Sequence, residues 1–278
     1  MAALVVYTTL KLRYEGNDKE KEALYPLWQR FLGTRSASCL LWTYLSETKD
    51  MTSFSIIIPS YNQQEFLPDS IESALEQTFE ANEVIVIDDG STDQSLQVAL
   101  TYAKAHPKLK VISQVNKGLA SARNTGILNS SCDYVLPLDA DDQLMPHCLE
   151  KMTAVAEETK ADIIAPSFKN FGVINFPVIL ESPPSLEDFK TANRIPYFSA
   201  IRREALLECG GYSPRMTWGY EDYALWFDLL SRGKTLAVIK DVLVLYRTKT
   251  ESMLTKAVQH HDELMTQIVK DFPEIFTL

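Results

Sequence analysis

Three carboxylates follow directly on a short apolar run: Tyr134-Val135-Leu136-Pro137-Leu138 leads into Asp139, Asp141 and Asp142. The run reads as a buried strand closed by acidic residues. An unpaired carboxylate is very costly to bury, so such a strand end must open onto water or a cation. If the extended geometry persists past Leu138, Asp139 and Asp141 point the same way, because strand side chains alternate with a period of two. Two adjacent carboxylates raise each other's pKa unless a cation sits beside them. Hard divalent ions such as Mg²⁺ and Mn²⁺ take oxygen ligands, and Mg²⁺ sites combine one or two carboxylates with substrate phosphates. The chemistry on offer is a metal–diphosphate site. The alternative is a plain helix start, with Asp142 capping a helix over 146–159. A calcium-loop reading fails, because Leu144 stands where that loop needs Gly.

A second acidic pair, Glu221 and Asp222, opens the stretch 216–234, in which Leu225, Leu229 and Leu230 form a helical apolar stripe before Gly233. On a helix the two carboxylates stand roughly 100° apart and cannot both face one atom, whereas Asp222 and Trp226 share a face. Acidic residues also suit a helix N-terminus without any catalysis. Asp88 and Asp89 close the apolar run 83–87; a carboxylate there can accept the ring N–H of a pyrimidine, and Asp-Gly-Ser is also ordinary turn chemistry. Arg123, in NKGLASARNTG, can pair with phosphate or lie solvated on a helix.

Alternating apolar strands and amphipathic helices must position these groups, the pattern of a parallel sheet covered on both faces. The expected strands are 54–58, 83–87, 109–112, the run before Asp139, and 242–247; the expected helices are 65–77, 94–105, about 120–129, 146–159 and 260–272. Three of the first four strands end in polar loops, which places the site on the carboxyl edge of the sheet. After Ala165 the alternation breaks down, and five prolines in 166–198 suit loops and short edge strands. No G-x-G-x-x-G follows the first strand, which disfavours a dinucleotide fold.

With 278 residues the chain can bury a full core. Its net charge of -10 argues against nucleic acid or an anionic membrane as main partner, so a phosphate ligand needs locally placed cations. The four cysteines form no C-x-x-C pair, which indicates neither zinc nor a disulfide framework. No apolar run reaches the roughly 18 residues that cross a bilayer, so membrane contact is at most peripheral. Residues 1–50 carry no motif and read as an N-terminal extension or appendage, with Met51 just before the first strand.

Taken together, SIIIPSYN, VIVIDDGSTD, NKGLASARNTGI and VLPLDADD, in this order, resemble the nucleotide-binding half of family 2 glycosyltransferases with the GT-A fold, a mainly parallel α/β sheet with a smaller acceptor-side region. The resemblance implies one domain over 51–278, with a nucleotide-binding half at 53–145, an acceptor half at 146–255 and a closing helix at 256–272. It implies a cytoplasmic enzyme, at the inner face of the cell membrane or free of it. That enzyme would transfer one sugar, with inversion, from a nucleoside diphosphate sugar, usually UDP-linked, to a hydroxyl of a glycan or lipid-linked acceptor in surface polysaccharide or glycoconjugate synthesis. Pro59, Tyr61 and Asp89 would surround the base, Arg123 would lie near the base or diphosphate, and Asp139 with Asp141 would be the D-x-D, Asp141 holding Mn²⁺ or Mg²⁺. Asp222 matches the catalytic base. Ser199, Gly211, Glu221 and Trp226 fall on the sugar or acceptor side. The family commonly reads R-x-H after the last strand, whereas this chain has Arg247-Thr248-Lys249. An ammonium cannot ligate a cation while charged, so either Lys249 would pair with the diphosphate or the metal would keep another water. A non-catalytic sugar-nucleotide-binding or scaffold protein is the alternative.

Overall fold

The structure, a computed structural model, describes residues 52–250 and 253–276. The expected N-terminal appendage lies outside the described residues. The first half runs β1 (Phe54–Ser60), α1 (Leu67–Leu75), β2 (Glu83–Asp88), α2 (Ser95–Ala105), β3 (Leu109–Ser113), α3 (Leu119–Asn129) and β4 (Tyr134–Pro137). β1 lies between β2 and β4, with β3 outside β2, all parallel. Every residue of β1, β2 and β4 is buried, because helices cover both faces, and the strands are accordingly near-continuous apolar runs. Period-two alternation sorts the side chains: Ile56 and Ile58 pack with Ile71 and Met152 on one face, while Ile57, Ile85 and Ile87 join Ala122, Leu225 and Trp226 on the other.

The second half runs β5 (Gln143–Leu144), α4 (Cys148–Thr159), β6 (Ile163–Gly172), β7 (Pro177–Val178), α5 (Leu186–Phe189), β8 (Ala200–Arg202), α6 (Arg203–Cys209), α7 (Glu221–Ser231), β9 (Leu236–Thr248), α8 (Met253–Gln259), α9 (His261–Asp271) and α10 (Pro273–Phe276). Among the described residues these form one sheet in the order β3-β2-β1-β4-β8-β6-β9-β5, with β7 on β6. β8 runs antiparallel to β4 and β6, and β9 is parallel to β6.

Two expectations are corrected. The proline-rich region begins inside a ten-residue interior strand, β6, rather than in loops. Pro166 is accommodated because the register with β9 shifts between Pro166 and Ser167, where a missing N–H breaks no regular ladder. Second, β4 stops at Pro137, and the Asp142 N–H donates to the Asp139 carbonyl at 3.0 Å. Asp139 to Asp142 form a turn, so strand alternation does not govern where their side chains go. Among the described residues no helix is long and apolar enough to cross a membrane.

At the amino ends of the strands, away from the site, buried Glu83 accepts from the Ser55 hydroxyl and the Ser131 N–H, both at 2.6 Å, and pairs with Lys110 at 2.6 Å. Burial by itself would raise its pKa, but these partners outweigh burial and hold it down at about 2. A carboxyl depressed in the folded state contributes stability that is complete above its unfolded pKa and is lost as pH falls toward the folded value. Urea unfolding followed from pH 5 to pH 2 should therefore show an acid-labile component on the order of 3 kcal/mol in the parent that is absent from Glu83→Gln. Parallel pH profiles for the two proteins would refute this.

Candidate active site

The carboxyl ends of β1, β2 and β4, with the end of β9, enclose a cavity of about 590 Å³. Pro59, Tyr61, Asp89, Asp139, Asp141 and Lys249 all line it. Tyr61 stands 47% exposed at the surface. Asp88, by contrast, closes the turn, accepting from the Ser91 N–H and the Ser113 hydroxyl. Asp89 is buried and organises the loop ahead of α3: one oxygen accepts from Gln114 Nε2 at 2.7 Å and the Lys117 N–H at 3.0 Å, the other from the Gly118 N–H at 2.8 Å. Gly118 caps α3 with φ +85°, a conformation that suits glycine. A carboxylate has about four lone-pair sites, so Asp89 keeps one acceptor position open.

The carboxylates after β4 are each held by a different partner. Asp139 pairs with Arg123 at 2.8 Å, and Asp141 pairs with Lys249 at 2.7 Å. Asp142, 1% exposed, accepts from the Arg247 N–H at 2.6 Å and from the Tyr197 hydroxyl; it caps no helix. Burial, with Asp141 and Asp139 alongside, pushes the Asp142 carboxyl well above the usual range. Among the described residues no three His, Cys, Asp or Glu side chains converge as a metal cluster. Asp141, expected as the metal ligand, meets an ammonium instead. The donors present therefore do not fit a divalent cation.

A second cavity, of about 350 Å³, adjoins the first: Leu119, Asp139 and Tyr246 line both. Glu221 and Asp222 open α7 on its wall, and helical geometry turns them apart. Glu221 accepts from Arg123 at 2.6 Å, while Asp222 accepts from Asn193 Nδ2 at 2.9 Å and from the Tyr223 N–H at 2.8 Å. Burial is the main cause that raises the Asp222 carboxyl, the Glu221 charge adds to it, and Arg123 opposes it; the result is about 7. A carboxylate so tuned can take a proton near neutral pH.

Arg123 is not solvated but buried against two carboxylates. It is 1% exposed, its two terminal nitrogens are committed to Asp139 and Glu221, and the rings of Tyr197 and Tyr212 lie 4.6 and 5.2 Å from its guanidinium. Three further expected contacts are also displaced. Ser199 is fully buried and donates to the Pro196 carbonyl. Trp226 is fully buried in the core, because the stripe it shares with the leucines faces the sheet. Gly211 lines neither of these cavities; at φ +77° its missing Cβ leaves room for Asn124, whose Oδ1 would lie 2.4 Å away. The structure also brings in Asn193, Tyr197, Trp218 and Tyr246. Trp218 stacks on His260 with ring centroids 4.5 Å apart at the rim. Its place after Met216, between turn residues and the Glu-Asp pair, was the one available signal; Asn193 had none.

A mostly parallel α/β sheet with a carboxylate-bearing cavity on its carboxyl edge is the architecture of the GT-A class. The chain belongs to glycosyl transferase family 2, whose sequence model matches residues 55–220. A glycosyltransferase of Haemophilus influenzae is 30% identical over 206 residues, covering 70% of this chain and 75% of its own. The glycosyltransferase EpsJ of Bacillus subtilis is 40% identical over 114 residues, 41% of this chain, and the match spans only 33% of that relative. The crystal structure of Staphylococcus aureus TarS 1-349 in complex with UDP-GlcNAc superposes with a TM-score of 0.68 at 23% identity, over 78% of this chain and 66% of that one. That likeness establishes the fold.

Truncating Arg123 leaves Asp139 and Glu221 without their shared countercharge inside the protein. Arg123→Ala should lower the unfolding free energy by roughly 3–5 kcal/mol, as expected when one partner of a buried ion pair is removed. A loss below about 1 kcal/mol in urea unfolding, the scale of an exposed pair, would show that the triad is not structural.

Proposed function

We propose that the protein transfers one sugar, with inversion, from a UDP-sugar to a hydroxyl of a glycan or lipid-linked acceptor, in surface polysaccharide or glycoconjugate synthesis at the cytoplasmic side of the membrane. One observation carries this reading: the cavity of Asp89, Asp141 and Lys249 meets the cavity of Asp222 at Asp139. In the first, Tyr61 and Pro59 offer surfaces to a base, and the open acceptor site on Asp89 suits the ring N–H of uracil. Lys249 and Arg247 face the same cavity and supply positive charge for a diphosphate. Arg247 is fixed there between the rings of Phe66 and Phe171, at 4.5 and 4.4 Å. That a solved GT-A relative holds UDP-GlcNAc supports the choice of donor.

Members of family 2 generally use a divalent cation. Because Asp139 and Asp141 are already ion-paired, the steps are assigned to side chains of this chain. Asp222 takes the acceptor's hydroxyl proton as the oxygen attacks the anomeric carbon from the face opposite the diphosphate. The C–O bond to the diphosphate breaks, and Lys249 and Arg247 meet the charge that leaves with it. One displacement inverts the centre, and no covalent enzyme intermediate forms.

UDP at about 100 times its dissociation constant should stabilise the protein by about 2.7 kcal/mol, seen as a raised melting temperature, and a panel of UDP-sugars identifies the donor. No shift with any nucleoside diphosphate would refute the donor site. Asp222→Asn keeps size and polarity but removes basicity, so UDP affinity should hold while turnover falls by roughly 10²-fold or more. In the parent, turnover should decline as pH drops below about 7, where Asp222 becomes protonated. A variant with near-parental turnover would exclude Asp222 as the base.

A further inference from the structure

Lys249 extends from the end of β9 into the first cavity, and its ammonium lies 2.7 Å from Asp141 Oδ2. It is held there by the ring of Phe66, 4.3 Å below, and reaches toward Gln63 Oε1 at 3.5 Å. An ammonium has three donors; among the described residues Asp141 and Gln63 take two, which leaves one for a ligand oxygen in the cavity. The Asp141 carbonyl is occupied as well, by Arg247 Nε at 2.9 Å. Asp139 and Asp142 are committed to Arg123, Tyr197 and the Arg247 N–H. A dication arriving at Asp141 would therefore sit beside an ammonium it repels, with no second uncommitted carboxylate from this run to hold it.

We infer that Lys249, paired with Asp141, supplies the positive charge that a divalent cation would supply to a diphosphate, so that this site binds a nucleoside diphosphate without metal; the inference rests on the donor reading above. Asp141 then serves as a positioning residue that aims the ammonium, and Arg247 supplies the second positive charge. The pair gives the site its own local cations within a chain of net charge -10.

The test is titration of UDP by calorimetry, in EDTA and in Mn²⁺, against the parent and three variants. The parent should bind UDP equally well in both buffers. Lys249→Ala should lose roughly tenfold or more in EDTA, the scale of one hydrogen bond to a charged group. Lys249→Arg, which keeps the charge, should retain binding in EDTA, showing that the loss in Lys249→Ala is not misfolding. Lys249→His, which offers a metal ligand in place of the ammonium, should bind UDP well only with Mn²⁺. UDP binding by the parent confined to Mn²⁺ overturns the inference and leaves the donor reading standing. Lys249→Ala binding like the parent in EDTA also overturns it. A parent that binds UDP in neither buffer overturns the donor reading itself, and the inference with it.

Discussion

One buried cation holds the two cavities together. Arg123 on α3 takes Asp139 with one nitrogen and, 98 residues away in sequence, Glu221 with the other. Guanidinium suits this position because it is planar, permanently charged and less strongly hydrated than an ammonium, so it can be buried between two carboxylates. Two negative charges against one positive leave an excess, and the rings of Tyr197 and Tyr212 pack against the guanidinium. The arrangement fixes Asp139, one of three residues common to both cavities, relative to the first turn of α7.

That fixture decides what Asp222 can do. With Glu221 drawn onto Arg123, the next side chain around the helix faces the second cavity. No side chain caps α7; its start is set by backbone, with Gly219 at φ +125° and Tyr220 at φ +63°. A tyrosine in the left-handed region is uncommon, and such strain collects at functional sites, where surrounding structure holds it in place. The Glu221 charge then does two things at once: it satisfies Arg123, and it helps keep its neighbour's proton affinity high. On the donor side Asp89 plays a comparable part with neutral donors, closing the loop that begins α3 and so placing Arg123.

Much of the first half was legible from residue order. The strands at 54–60, 83–88 and 134–137 show because a sheet covered on both faces demands unbroken apolar runs, and their acidic ends show because carboxylates cannot follow such runs into a core. The second half was harder. β6 carries a proline at a bulge, and its pairing with β9 depends on residues about seventy positions away, so no local period reveals it.

The sequence by itself determined the α/β class and the acidic ends of the strands, since these rest on short-range periodicity and on residue types at fixed spacing, whereas the departure at Lys249 shows only against the pattern of the family it resembles. Only the tertiary structure decided which charge answers which. Arg123 went to two carboxylates, Lys249 went to Asp141, and Trp226 and Ser199 went into the core. The reason is physical: the role of a charged side chain depends on its burial and on the countercharges within a few ångströms, and here those countercharges arrive from distant parts of the chain.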